Sequence, residues 1–290
     1  MPRRNLKLIE EILKRKKLLT LELVPTSGPD LSNLIREAKT LRCMFDAFNV
    51  TELIMRKDED LWMNTFYTAV KLREEGLIAI PHMTCREHNR RGALSDLLMG
   101  MCGGITDVLV VTGDRYKEGE GVVSKEVFEL SVIDMIKLVK QVYSRFSMDV
   151  TVLVAANSAC GDLKAEVKRT AEKLEAGATV IQTQPIYDVD VFREYMELLE
   201  QAGCKPKVLA GVLPLKSARS IKFLENKLGI KVPEDIRVKF SGLSKEEMER
   251  EGVEIALKII KAVINFCDGV HVFSMGDPVL ASNLMSRLNL

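Results

Sequence analysis

The sequence predicts an α/β chain folded as a (β/α)8 TIM barrel, with an N-terminal capping helix and a helical insertion before the eighth strand. Three observations predict it. Eight short runs rich in Val, Ile, Leu and Thr recur along the 290 residues, as strands covered on both faces do. Helical patterns separate them, and parallel strands need such crossovers. The turn after the first run reads Glu22-Leu23-Val24-Pro25-Thr26-Ser27, without the glycine-rich loop that an open doubly wound sheet more often carries there. One barrel takes about 250 residues, so residues 1–290 are expected to form a single catalytic barrel domain.

The elements follow in order. Between Met1 and Lys17, Leu6, Ile9, Ile12 and Leu13 keep helical spacing, while Glu10 and Glu11 interrupt the apolar core that a secretory signal needs. This stretch reads as a surface helix capping the domain. The strand candidates are Leu18–Pro25, Ala47–Thr51, Leu77–Cys85, Asp107–Asp114, Val150–Asn157, Thr179–Asp188, Lys207–Pro214 and Gly269–Met275. A helix is expected from Leu31 to Cys43 with Asp30 as N-cap. Another runs from Glu59 to Glu75 and stops at Gly76. Val191, Phe192, Tyr195, Met196 and Leu199 mark the buried face of a later helix. Gly100, Gly103 and Gly104 precede a strand and read as a helix-ending turn rather than a phosphate loop. The stretch from Lys216 to Asp268 is long enough for two or three helices, including the charged Ser244–Arg250 segment.

Composition excludes several functions. Lys and Arg number 42 against 41 Asp and Glu, so no strong field draws the chain to nucleic acid or an anionic membrane. No run approaches the ~20 apolar residues of a membrane span. Six cysteines lie apart, without a CxxC pair, and read as reduced core thiols of a cytoplasmic protein. His82, Cys85 and His88 have an H-x2-C-x2-H spacing, but no companion cluster completes four ligands, so no metal site is expected.

Chemistry in a barrel gathers at the C-terminal ends of the strands. Here those ends carry Glu22, Thr51, His82, Thr84, Asp114, Asn157, Gln182, Gln184, His271 and Ser274. Each has a structural explanation when taken alone. Together they suggest a polar cup. Glu22 lies among leucines, where a carboxylate is costly unless it is paired or works. Pairing with a lysine is one outcome. A raised pKa that suits it to donate a proton near neutrality is the other. Asp114 follows Gly113, whose missing side chain lets a ligand approach the backbone. Asp114 is otherwise a turn or capping residue.

Several motifs in this order carry a resemblance. They are Leu-Glu-Leu-Val-Pro (21–25), Asn-Val-Thr (49–51), Pro-His-Met-Thr-Cys-Arg-Glu-His-Asn-Arg (81–90), Val-Thr-Gly-Asp (111–114), Gly-Ala-Thr-Val-Ile-Gln-Thr-Gln-Pro-Ile-Tyr-Asp-Val-Asp (177–190), Gly-Val-Leu-Pro-Leu (211–215) and Gly-Val-His-Val-Phe-Ser (269–274). From about Leu18 to Leu288 the chain resembles the flavin-dependent methylenetetrahydrofolate reductases. The resemblance implies a flavin, FAD or FMN, at the strand ends. It also implies ping-pong hydride transfer from NADH, NADPH or another donor to 5,10-methylenetetrahydrofolate, giving 5-methyltetrahydrofolate. It makes Glu22 the general acid that protonates the pterin-side nitrogen as the imidazolidine ring opens. Asp114 becomes the aspartate beside flavin and pterin. Thr51, His82, Gly113, Asp114 and Asn157 are the expected flavin contacts, and Gln184 and Thr51 the folate contacts.

Two departures stand out. A Tyr-Pro-Glu-x-His-like segment that meets the adenine half of FAD is replaced by Ala-Asn-Ser-Ala-Cys-Gly-Asp (156–162), which leaves FMN open. The arginine that meets the folate glutamate falls near Asp277. Lys216 or Arg219 is then expected to hold the tail, unless the tail hangs in water with Asp277 capping the last helix. Alternatives are a tetrahydromethanopterin-type carrier, a protein electron donor, or a non-catalytic partner subunit. The oligomeric state stays open.

Overall fold

The computed structural model describes residues 8–52, 62–116 and 124–288. All eight expected runs form strands: β1 (Leu18–Leu23), β2 (Ala47–Val50), β3 (Ala79–Thr84), β4 (Asp107–Val111), β5 (Thr151–Ala156), β6 (Val180–Pro185), β7 (Lys207–Val212) and β8 (Gly269–Val272). Each pairs in parallel with the next, and β8 returns to β1, closing the barrel. The strands are shorter than the runs at their C-terminal ends. There the chain leaves the sheet to build the rim.

Seven strands send a residue to one apolar cluster: Leu18, Ala47, Ile80, Leu109, Leu153, Val180 and Leu209. Ile9 and Leu13 of α1 (Leu8–Leu13) complete it. The N-terminal helix therefore plugs the barrel floor rather than lying on the surface. β8 contributes Gly269, level with Leu18, where a Cβ would stand 2.1 Å from the Leu18 carbonyl oxygen. Side chains alternate across a strand, so the next inward level holds Thr20, Asn49, His82, Gln182 and His271. The level above holds Glu22, Thr51, Thr84, Asn157 and Phe273. On most strands the inward side chains thus change from apolar at the floor to polar towards the mouth, whereas β7 stays apolar with Leu209 and Gly211. A second, larger cluster joins the outward faces of the strands to the helices.

The outer helices are α2 (Ser32–Leu41), α3 (Thr65–Glu74), α4 (Arg90–Cys102), α5 (Val132–Arg145), α6 (Leu163–Glu175), α7 (Val189–Gln201), α8 (Ala218–Leu228), α9 (Glu234–Lys239), α10 (Lys245–Val263) and α11 (Pro278–Ser286). In α7, Phe192, Tyr195 and Leu199 are buried, as the spacing predicts. Three helices, α8 to α10, fill the long seventh crossover, and Ser244 with Glu247 opens α10 as a capping box. Gly103 caps α4, and Gly104 turns with φ +75°. Asn64 caps α3, and the earlier part of the expected Glu59 start lies outside the described residues. Asp30 is not the N-cap of α2. That position falls to Leu31, and the Asp30 carboxylate instead accepts the Ser32 N–H at 2.9 Å. The core-thiol expectation holds for Cys85 and Cys267, whereas Cys43 and Cys102 are exposed.

Candidate active site at the mouth of the barrel

Glu22 ends the inward face of β1 at 8% exposure. Among the described residues no cation pairs with it. Its Oε1 accepts the Met275 N–H at 3.2 Å. Burial raises its pKa to about 7, opposed only by that hydrogen bond. The lysine partner considered from sequence is absent among the described residues, and burial instead favours the protonated carboxyl group.

Below it, the inward level is hydrogen-bonded across the barrel. The Asn49 amide nitrogen lies 2.9 Å from Gln182 Oε1 and 3.3 Å from His82 Nε2. His271 Nδ1 meets Thr20 Oγ1 at 2.8 Å. Burial pulls the His82 pKa down to about 3. Burial, and then nearby His82, holds His271 well below its ordinary value. Both rings are neutral at working pH, which suits them to hydrogen bonding rather than charge pairing.

Asp114, Asn157 and Gln184 meet on the other side of the mouth. They line a cavity of about 490 Å³ with Thr112, Ala155, Glu166, Arg169, Glu172 and Lys173. The Asn157 N–H donates to Glu166 Oε1 at 3.0 Å, and Lys173 Nζ donates to the Ala155 carbonyl at 2.7 Å. Burial lowers the Lys173 pKa, with Glu166 opposing. An extra residue in β6 between Gln182 and Pro185 forms a bulge against β7. Such bulges re-aim side chains beside active sites. Asp114 is exposed on the rim, so it does not share the buried setting of Glu22.

Gly113 has a structural cause. Its φ is +81°, and a Cβ there would stand 2.9 Å from Arg86 Cβ and 3.1 Å from Thr84 Cβ. The close approach that the structure shows at Gly113 is to the turn after β3. Arg86 is fully buried and its Nη1 donates to the Asp114 carbonyl at 3.0 Å. That bond fixes the rim segment bearing Asp114. Nothing in the motif spacing singled out Arg86.

His88 does not join His82 around a metal. Its Nδ1 meets the Thr84 carbonyl at 2.8 Å and its Nε2 meets Asp96 at 3.1 Å. Burial disfavours its charge, but Asp96, Glu52 and the Thr84 carbonyl prevail and raise its pKa to about 9. Glu52 also accepts the Thr84 N–H at 2.7 Å. This group locks the turn after β3. Among the described residues, no cluster of three or more His, Cys, Asp or Glu could hold a metal ion.

The tail-binding expectation meets a competing bond. Lys216 Nζ lies 2.7 Å from Asp277, and Asp277 caps α11 by accepting the Leu280 N–H at 3.0 Å, with Pro278 at the first turn. Burial works against the Asp277 charge, yet Lys216 and the helix N–H groups hold its pKa below the ordinary value. Lys216 is thus committed to Asp277, while Arg219 is exposed at the start of α8.

Sequence reasoning missed Asn49 as a site residue, although its inward phase on β2 was readable. It also missed Lys173, which sits among charged residues of α6 and shows its burial only once the helix is docked.

The family described as methylenetetrahydrofolate reductase matches residues 7–289. A probable methylenetetrahydrofolate reductase (NADPH) of Caenorhabditis elegans is 19% identical over 220 residues, covering 74% of this chain and 33% of that protein. The 5,10-methylenetetrahydrofolate reductase of Salmonella typhimurium is 24% identical over 188 residues, covering 64% of this chain and 61% of that protein. The chain therefore spans only part of the length of these relatives. In fold it is similar to an uncharacterized Clostridium thermocellum protein that binds two copies of 5-methyl-5,6,7,8-tetrahydrofolic acid. That match has a TM-score of 0.68 at 14% identity, over 97% of this chain and 99% of the other. A 2,3-dimethylmalate lyase shares the barrel at a TM-score of 0.57 and 11% identity, over 99% of this chain and 85% of the lyase. No described helix is long and apolar enough to cross a membrane. With nearly its whole length matched, the chain belongs to the methylenetetrahydrofolate reductase family, a family of oxidoreductases.

Proposed function

We propose that this barrel reduces the methylene group of 5,10-methylenetetrahydrofolate to the methyl group of 5-methyltetrahydrofolate, by ping-pong hydride transfer through a flavin. The observation that carries the proposal is Glu22. It is a buried carboxyl group, paired with no cation among the described residues and with its pKa raised to about 7, at the mouth of a barrel of this family.

The cavity across the mouth from Glu22, lined by Asp114, Asn157 and Gln184, has a donor set that suits a flavin nucleotide. Lys173 uses one ammonium hydrogen on the Ala155 carbonyl, which leaves two for a phosphate, and Arg169 lines the same space. Glu166 already engages Arg169, at 2.7 Å, which tempers that charge. Thr51, His82, Asp114 and Asn157 would hold the group, and Gly113 would shape the turn beneath it. Bound there, a flavin would accept hydride from NADH or NADPH and deliver it to the pterin-bound carbon. FMN and FAD both suit this donor set.

The residues of the chain govern the proton. The product carries its methyl group on nitrogen 5, so the bond from the methylene carbon to nitrogen 10 must break. Glu22 therefore gives its proton to nitrogen 10, not to the pterin-side nitrogen. The electrons of the broken bond stay on nitrogen 10, and a cationic iminium remains at nitrogen 5. Glu22, now an anion, and Asp114 on the rim both stabilise that cation. Hydride addition to the iminium carbon completes the methyl group. Gln184 can hydrogen-bond the pterin from the β6 bulge. Because Asp277 occupies Lys216, Arg219 is the cation left for a glutamate tail. The same pair favours, as a second function, a carrier with a different tail, such as a tetrahydromethanopterin type.

Glu22→Gln tests the assignment. Flavin reduction needs no proton from Glu22, whereas ring opening does. Rapid-mixing measurements should show flavin reduction unchanged and pterin reduction slowed by about 10²–10⁴-fold, the scale of a positioned acid. Equal losses in both halves would make Glu22 structural.

A further inference from the structure

Asn49 is fully buried, and its Cα is in register with that of Glu22 on the neighbouring strand. Its amide nitrogen makes both contacts described above, to Gln182 Oε1 at 2.9 Å and to His82 Nε2 at 3.3 Å. These use both amide hydrogens and leave only Oδ1 without a partner. Rotating the amide by half a turn would strand two buried N–H groups instead of one acceptor. Orphaned buried N–H groups are rarer than under-satisfied carbonyls. The nitrogen therefore faces His82, and His82 Nε2 must accept.

A neutral imidazole carries one proton, which then sits on Nδ1. Among the described residues nothing bonds to His82 Nδ1, and the residue keeps 7% exposure. We propose that Asn49, held by Gln182, is a positioning residue that fixes His82 as the neutral Nδ1–H tautomer, an N–H donor for an acceptor atom of the heterocycle entering the cup. The identity of that occupant rests on the function proposed above. The tautomer does not.

The chain contains three histidines, and each has a different set of nitrogen partners. His88 uses both nitrogens, on Thr84 and Asp96. His271 uses Nδ1 on Thr20. Histidine-selective ¹⁵N labelling of the full, ligand-free chain therefore gives a readable long-range ¹H–¹⁵N spectrum. His82 is identified by its loss in His82→Gln. The expected result is a protonated Nδ1 and a bare Nε2, unchanged between about pH 6 and 9. In Asn49→Asp the new carboxylate accepts rather than donates, so the proton should move to Nε2 or the ring should become cationic. FMN affinity should fall about three- to tenfold, the scale of one neutral hydrogen bond. A wild-type His82 protonated on Nε2, or one unmoved by Asn49→Asp, would overturn the proposal. The wild-type spectrum decides even where the variant fails to fold. If the tautomer is as stated but neither FMN nor FAD binds, the positioning role of Asn49 stands and the flavin function fails.

Discussion

A carboxyl group with 8% exposure and one backbone N–H for a partner keeps its proton longer than it would in water. For Glu22 this has a thermodynamic consequence as well as a catalytic one. Its folded-state pKa is about 7, against 4.5 for the ordinary group. Between these values the folded chain binds more protons than the unfolded chain, so Glu22 makes stability fall as pH rises through that window. Glutamine cannot ionise and has nearly the same shape. Glu22→Gln should match the wild type below the window and exceed it above, by up to about 3 kcal/mol at roughly 1.4 per pKa unit. Urea unfolding on either side of the window would show this. A gain of equal size on both sides would point to packing rather than to the buried charge. The residue type and its leucine neighbours were legible in the sequence. Its partner was not, because Met275 lies on the far side of the barrel closure in sequence and donates through its backbone.

The turn leaving β8 is the element that holds the acid. Ser274 Oγ donates to the Glu22 carbonyl at 2.9 Å and accepts the Gly276 N–H at 3.1 Å. Met275 between them has φ 50°, and Gly276 has φ 75°. A non-glycine residue held in this region costs about 1–3 kcal/mol, so the turn must be fastened, and Ser274 fastens it. Ser274→Ala should release the turn and take the Met275 N–H from Glu22. That hydrogen bond lowers the pKa of Glu22, so its loss should move the alkaline fall of the pterin half-reaction to higher pH. Met275→Gly removes the strain but keeps the donor, and should leave the profile in place. An unchanged profile in Ser274→Ala would show that the turn does not hold the acid. Ser274 was visible in the sequence as a polar strand end. Its outward phase was not, since the run of apolar residues continues past the true end of β8. Asp114 lies beyond the end of β4 for the same reason, and so stands on the rim rather than inside.

At the scale of the whole molecule, eight short apolar runs separated by helical patterns carried the barrel, and the fold follows from them. The floor-to-mouth change from Leu18, Ile80 and Leu153 to Glu22, His82 and Asn157 was legible strand by strand. What could not be read were contacts made across the barrel or between layers. Asn49 with Gln182, Lys173 with Ala155 and Lys216 with Asp277 join residues remote in sequence, and their partners are set by closure and helix docking. The claim that joins these scales is that the mouth houses hydride transfer to a folate-bound methylene carbon. It is tested most directly by loading the chain with flavin, reducing it without oxygen, and mixing it with 5,10-methylenetetrahydrofolate while following visible absorbance and product. The expected result is reoxidation of the flavin in one phase with formation of an equal amount of 5-methyltetrahydrofolate. A chain that takes up no flavin, or whose reduced flavin is left unchanged by the folate, would contradict it.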